Sequence, residues 1–372
     1  MKVELAHWTN FFEEYNHSFV ITPLIKKEDK PNFEETITKL NQVTQNTFFD
    51  PIYINSQNAS FRNLLNPRTL VRDFFSIFNA LNRSKPDVVI CYYVTHAYPL
   101  ALMRRMLNYR LCVVAMGSDV NFENSPAQKI AKEFVYQNCH RIFAVSWKLK
   151  RKIESQHGVS VTLAPSSTDT SFFRPLNSKS ELRKKWNIDA DKNVILAVCR
   201  LDKNKAVDIL INALKTIGSK DTMLLVAGAG PERKALEALA ARLGFQDSVL
   251  FLGYRNRPEL LELYNLADIF TLSSYVEGLP RVLIESMSCG CIPVATDVGG
   301  VSSVITNGVN GFLVPPGSSE AFSNQIRSIL VLPEEKKQQI RSLSRQVVVE
   351  KFDSKKVLHD MVKSIGLAET VR

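Results

Sequence analysis

The chain has 372 residues, of which 45% are hydrophobic and 23% charged, with a formal net charge of +10. That length exceeds one compact core of usual size, so two domains are expected. No run reaches the roughly 18 apolar residues of a membrane span, and the opening "MKVELAHWTNFFEEYN" lacks the apolar centre of a secretory signal, so a cytoplasmic protein is expected.

In chain order, residues 1–170 read as the strands "SFVITP", "DVVICYY", "LCVVAMG", "RIFAVS" and "VTLAP". Helical segments fall between them, among them "RTLVRDFFSIFNALNRS", "AQKIAKEFVYQN" and the basic "WKLKRKIESQHG". The Ser/Thr-rich stretch "SSTDTSFFRPLNSKSE" reads as the connection to a second half. From residue 193 the alternation sharpens. The apolar runs "NVILAVCR", "TMLLVAG", "SVLFLG", "DIFTLSS", "PVAT" and "GFLVP" are each followed by a loop and a helical pattern. Such runs, separated by helices, predict a parallel sheet covered on both faces. Two further helical segments close the chain. We therefore expect domains at 1–170 and 171–351, with a final helix over 352–372 that packs back on the first.

In an open parallel sheet, ligands bind at the carboxyl ends of the strands. There the second half places "RLDKNK" with Arg200 and Lys205, then "GAGPE", "GYRNR", "SSYVEG" and "TDVGG". Gly278 would let backbone approach a ligand, and Pro280 suits a first helical turn whose free amides would meet phosphate oxygens. Glu277 in the loop and Glu285 inside the helix could each accept hydrogen bonds from hydroxyls. Two cations, glycines and two acids at one sheet edge describe a ligand with a central diphosphate and a sugar at either end, which is a nucleotide sugar.

These motifs resemble the retaining GT-B glycosyltransferases of family 4, also called glycosyl transferases group 1. The resemblance rests on the pair of acids in "EGLPRVLIE", on "RLDKNK" and "GAGPE" before it, and on "GGVSSVITNGVNGFLVPPGS" after it; it runs from about Asn193 to Leu330. It implies an α/β fold of two Rossmann-like, doubly wound parallel-sheet domains facing a cleft. It also implies transfer of a hexose from a UDP- or GDP-sugar to a saccharide or lipid-linked acceptor, with retention, no metal and no cofactor, in surface polysaccharide synthesis. Arg200 and Lys205 would hold the diphosphate, Glu277 the transferred sugar and Glu285 the ribose. Gly278, Leu279, Val282 and Leu283 would contribute amides, and Tyr254 would lie beside the base.

In the first half the resemblance is one of outline, through "PDVVICYYVTHAYP" and "VVAMGSDVNF", and it places His96, Ser118 and Asp119 on the acceptor side. Two departures stand out. Many members carry histidine where this chain has Met116, whose thioether cannot replace that hydrogen bond. The chain also opens within what would be the first helix, without the usual strand and glycine-rich loop. A catalytically impaired binding or regulatory protein of the same shape is therefore the main alternative, with a nucleotide-sugar epimerase or a phosphorylase behind it.

Other signals are weaker. "GAGPER" begins like a dinucleotide fingerprint, but Arg233 stands at the third glycine position and no acid follows at the required distance. Asp189 and Asp191 in "IDADK" read as a turn rather than a metal motif. Of the six cysteines only Cys289 and Cys291 are close, and without a second pair they read as reduced thiols. The charge excess divides evenly, 20 Lys+Arg against 15 Asp+Glu in residues 1–170 and 27 against 22 in the rest. No nucleic-acid arm is expected. The basic segment 147–158 reads first as a solvated helix face, with peripheral association with an anionic membrane, at the inner face of the plasma membrane, as the alternative.

Overall fold

The computed structural model describes residues 85–121, 125–218 and 221–366, with strand segments at 19–21, 25–26 and 53–54 and helical positions 75, 77–79 and 81–83. The helix expected at the start of the chain lies outside the described residues. The chain divides into two compact units, one of Met1–Ala164 with Leu358–Arg372, the other Pro165–Val357. The boundary thus falls a few residues before the expected one.

The first unit holds a parallel sheet of β1 (Phe19–Ile21), β4 (Val88–Tyr92), β5 (Arg110–Ala115), β6 (Arg141–Ala144) and β7 (Val161–Leu163), in that order. A separate two-stranded pair joins β2 (Ile25–Lys26) to β3 (Tyr53–Ile54). All five expected strands are present, because a strand buried on both faces must be apolar throughout: Val88, Val89, Ile90, Leu111, Cys112 and Val113 are fully or almost fully buried. Three helices follow β4, β5 and β6 as crossovers: α1 (Tyr98–Leu107), α3 (Pro126–Asn138, after the one-turn α2, Ser118–Asn121) and α4 (Trp147–His157). Ser125 and Ser146 cap α3 and α4 by accepting from Gln128 N and Leu149 N, and Gly158 ends α4 in the left-handed region at φ 64°.

The second unit holds β8 (Asn193–Val198), β9 (Thr222–Ala227), β10 (Val249–Gly253), β11 (Ile269–Leu272), β12 (Ile292–Thr296) and β13 (Phe312–Val314). All pair in parallel in the order β10-β9-β8-β11-β12-β13. The helices are α5 (Lys179–Lys185), α6 (Val207–Ile217), α7 (Arg233–Arg242), α8 (Arg257–Leu266), α9 (Arg281–Ser288), α10 (Ser319–Leu330) and α11 (Glu334–Lys351), and α12 (Ser354–Ile365) begins here and ends in the first unit. One core cluster runs through the strands and into α6 and α10, with Leu210, Ile211, Leu214, Leu224, Val226, Phe322 and Ile326 buried. Asp268, just before β11, accepts from Val194 N, Arg183 and Lys179 at 2.7, 2.7 and 2.6 Å and so locks the amino ends of β8 and β11 together.

The Ser/Thr-rich stretch begins where the two units divide, as expected, but it is no loose linker: it is docked within the second unit, its last residues enter α5, and Phe173 is fully buried beside Tyr264 at 5.9 Å between ring centroids. Ser288 Oγ donates to Phe173 O at 2.6 Å, and Asn265 Oδ1 accepts from Leu176 N at 2.7 Å. Composition reported its polar atoms but not the partners that satisfy them. The chain passes back through α12: from Leu358 onward it belongs to the first unit, where Ile365 O accepts from Arg110 Nη1 at 3.2 Å.

Candidate active site

The strand order of the second unit sets its switch point. From β8 the chain winds one way to β9 and β10, and β11 begins the winding on the other side, so the loops leaving β8 and β11 separate and open a crevice at their carboxyl ends. The two loops are stitched at their bases. Ser273 Oγ donates to Lys205 O at 2.7 Å, and Tyr275 N donates to Asn204 O at 2.8 Å. Asp202 caps a short 3-10 turn at Lys203–Lys205, which turns the Lys205 side chain toward the β11 loop.

There Lys205 Nζ reaches Glu277 Oε1 at 2.7 Å, and the buried Ser274 Oγ donates to the same oxygen at 2.6 Å. Glu277's side chain is 8% exposed. Two donors on Oε1 fix the carboxylate plane, and no partner among the described residues engages Oε2. Ser274 is itself held through its carbonyl, which accepts from Thr296 Oγ1 at 2.7 Å. This hydroxyl was missed by sequence reasoning; its position three residues before an acid at a strand end was the only available signal.

The glycines act on protein as much as on any ligand. A Cβ at Gly299, φ +57°, would lie 1.9 Å from Glu277 O, and Gly300 N donates to Gly278 O at 2.6 Å. The "TDVGG" loop therefore clamps the backbone of Glu277 and Gly278. Gly228 and Gly230 of "GAGPE" press in the same way on the backbone of Cys199 and Leu201, where a Cβ would come within 1.8 and 2.2 Å of the carbonyl oxygens.

The other expected residues are distributed as follows. Arg200 stands in the loop after β8 with its side chain 74% exposed, 3.8 Å from Asp202, a pairing weak enough to exchange for an anion. Gly278 and Leu279 share the loop with Glu277. Pro280 is the N-cap of α9 rather than part of its first turn. Leu283 is buried and its N–H closes on Pro280 O at 3.2 Å, so that amide, expected at the donor, is spent within the helix. Val282 is half-buried in the same turn. Glu285 is buried and accepts from Tyr264 OH at 3.1 Å; burial, then Glu285, pushes that phenol well above its usual pKa. Tyr254 is largely exposed beyond β10, while Arg255 is held by Glu259 at 2.9 Å and lies over Trp186. Direct contact within the expected set is thus made by Lys205 and Glu277.

Cys199, beside Arg200, is pushed up to about 12 by burial and the Glu277 charge against Lys205, so it supplies no thiolate nucleophile. Among the described residues, no three His, Cys, Asp or Glu side chains gather in a way that could hold a metal ion. Asp189 O accepts from Lys192 N at 3.3 Å in the expected turn.

In the first unit Asp119, expected on the acceptor side, is engaged by backbone. Its Oδ2 accepts from Val94 N at 2.8 Å, and its Oδ1 from Met116 N at 3.0 Å and Gly117 N at 2.9 Å. The buried carboxylate ties the loop after β4 to the loop after β5. His96 lies in the first of these loops, half-buried, its ring 5.5 Å from that of Tyr93; burial lowers its pKa against the pull of Asp119 and Tyr92 O, which favours the neutral ring. Ser118 begins α2.

Residues 178–346 match the family model described as glycosyl transferases group 1. The matched segment carries Arg200, Lys205, Ser274, Glu277 and Glu285. Over 332 residues the chain is 26% identical to N-acetyl-alpha-D-glucosaminyl L-malate synthase of Bacillus anthracis, covering 86% of this chain and 84% of that protein. It is 26% identical to the GDP-mannose-dependent alpha-(1-6)-phosphatidylinositol monomannoside mannosyltransferase of Mycolicibacterium smegmatis, covering 74% and 76%. Among solved structures, Anabaena HepE in complex with UDP and glucose superposes with a TM-score of 0.78 at 19% identity, covering 94% of this chain and all of that one. The fold is therefore GT-B, two parallel-sheet α/β units. No helix among the described residues is long and apolar enough to cross a membrane.

Proposed function

We propose that the protein is a retaining glycosyltransferase that moves a hexose from a UDP- or GDP-sugar to a saccharide or lipid-linked acceptor in polysaccharide biosynthesis, without a metal. The observation that carries this reading is the cluster at the switch point, where Lys205 and Ser274 grip one oxygen of Glu277 and leave the other for a ligand. It draws support from the family match over these residues, from HepE, a structural neighbour crystallised with UDP and glucose, and from the relative named as GDP-mannose-dependent.

In this reading the donor diphosphate lies across the loop after β8. Lys205, which already faces an anion, shares its charge with the phosphates, and the exposed Arg200 swings onto them. Glu277 Oε2 accepts hydrogen bonds from hydroxyls of the transferred sugar. The bond from the anomeric carbon to the β-phosphate oxygen breaks as the acceptor oxygen bonds the same face, and the acceptor proton passes to a phosphate oxygen. Fixed cations aimed at the departing diphosphate supply most of the rate, because they need no reorganisation when charge develops.

The test is a panel of UDP- and GDP-sugars incubated with the whole chain, with and without EDTA. One donor is expected to be hydrolysed slowly and equally in both, and Glu277→Ala is expected to abolish it while leaving the circular dichroism unchanged. Tight donor binding without turnover would overturn the enzymatic reading.

A further inference from the structure

The sequence divides the positive charge evenly between the two halves; the fold gathers much of the first half's share onto three neighbouring helices. Helices α1, α3 and α4 join consecutive neighbours of a parallel sheet, and right-handed crossovers lay them side by side on one side of it. Side-chain contacts tie the layer together. Tyr98 meets Phe134 at 5.4 Å between ring centroids, Arg104 Nη1 donates to Asn138 O, and His157 Nδ1 bonds Glu133 Oε2 at 2.6 Å.

These three helices hold eight Lys and Arg against two Glu, a net +6, whereas residues 1–170 as a whole carry +5; of the eight, Lys132 is buried, and Arg104 and Lys150 are engaged by Asn138 O and by Glu154. Everything else in the first 170 residues therefore sums to −1. Both acids of the layer are already engaged, Glu133 by His157 and Glu154 by Lys150. Among the described residues Arg105, Lys129, Lys148 and Arg151 are exposed. Between them stand large apolar side chains in the open: Met106 and Ile130 are 70% and 71% exposed, with Trp147 and Leu102 at 52% and 42%.

We propose that the outer face of this three-helix layer docks on the anionic surface of a lipid bilayer. The cations pair with headgroup phosphates, and Trp147, Met106, Ile130 and Leu102 enter the interfacial zone. Positive charge alone would suit any polyanion. The interleaved apolar side chains select a lipid surface, because they gain nothing against a hydrated phosphate backbone and bury area only in acyl chains; an exposed tryptophan suits that boundary. The surface lies on the first unit and does not depend on the donor reading, so an inactive chain would still bind.

The experiment is sedimentation of the full chain with vesicles of phosphatidylcholine alone and of phosphatidylcholine mixed with phosphatidylglycerol, read together with tryptophan emission. Binding is expected to the mixed vesicles only, with a blue shift that Trp147→Phe removes. Each cation lost costs about fivefold in partitioning, so Lys148→Glu with Arg151→Glu, two reversals, is expected to reduce binding more than twentyfold. Met106→Ser with Ile130→Ser is expected to weaken binding and to make the residual binding fully salt-sensitive. Lys215→Glu with Lys234→Glu, the same charge change on exposed positions of the second unit, is expected to bind like the parent. All variants are checked for unchanged melting temperature. Failure of the parent to bind at low salt, equal loss in the second-unit control, or no effect of the serine pair with full competition by single-stranded DNA would each overturn the proposal.

Discussion

Two acids stand at strand ends in two parallel sheets, and their partners set them apart. Asp119 gives its oxygens to three backbone N–H groups of its own unit, so it closes two loops and has little left for a ligand. Glu277 binds two side-chain donors on a single oxygen and keeps the second. Position at a strand end and burial are common to both. A latch differs from a candidate reactive group in whether the partners are backbone amides that cannot leave or side chains that a ligand can share.

The comparison can be broken at four places. The largest effect is expected for Glu277→Gln, which keeps shape but removes the charge facing Lys205: donor hydrolysis should fall about 10³-fold, as for loss of a preorganised electrostatic contact. Asp119→Ala should cost about 3 kcal/mol in urea denaturation, since it strands N–H donors of a charged acceptor, yet leave nucleotide affinity at the second unit unchanged in folded protein. A matching loss of nucleotide affinity would place Asp119 in the site after all. Gly299→Ala should cost about 2 kcal/mol and also lower turnover, because its Cβ must push back the Glu277 carbonyl. Ser274→Ala, the mildest, should reduce turnover about tenfold with donor KM little changed and no loss of stability beyond about 1 kcal/mol, because Oε1 keeps Lys205 while the carboxylate plane loosens. A raised KM with turnover intact would make Ser274 a binding contact instead.

Much of the fold was legible. The strands of the second unit read as apolar runs because both faces of that sheet are covered, and their lengths separate them from the helices that alternate with them. Lys205 and Glu277, 72 residues apart, were expected together because both follow the carboxyl ends of strands in one parallel sheet, and they are. The roles of individual polar atoms were not legible. The hydroxyl of Ser274, the amides around Asp119 and the phenol beside Glu285 are choices of hydrogen-bond partner, made over distances in sequence that no local pattern records. The glycines were read toward a ligand, whereas Gly228, Gly230 and Gly299 are required by neighbouring backbone. The docking of Phe173 was hidden in a stretch whose composition is that of a loop.

By itself, the order of residues determined two α/β units, the parallel winding of the second, and which loops would carry its cations and acids, because burial periodicity and the alternation of strands with helices are properties of the chain. Tertiary structure alone decided which acid has a free oxygen, which amides are already bound, and that Arg105, Lys129, Lys148 and Arg151 stand exposed on three neighbouring helices. Charge and hydrogen bonding act through distance in space, and crossover packing brings together side chains that the linear pattern holds dozens of residues apart.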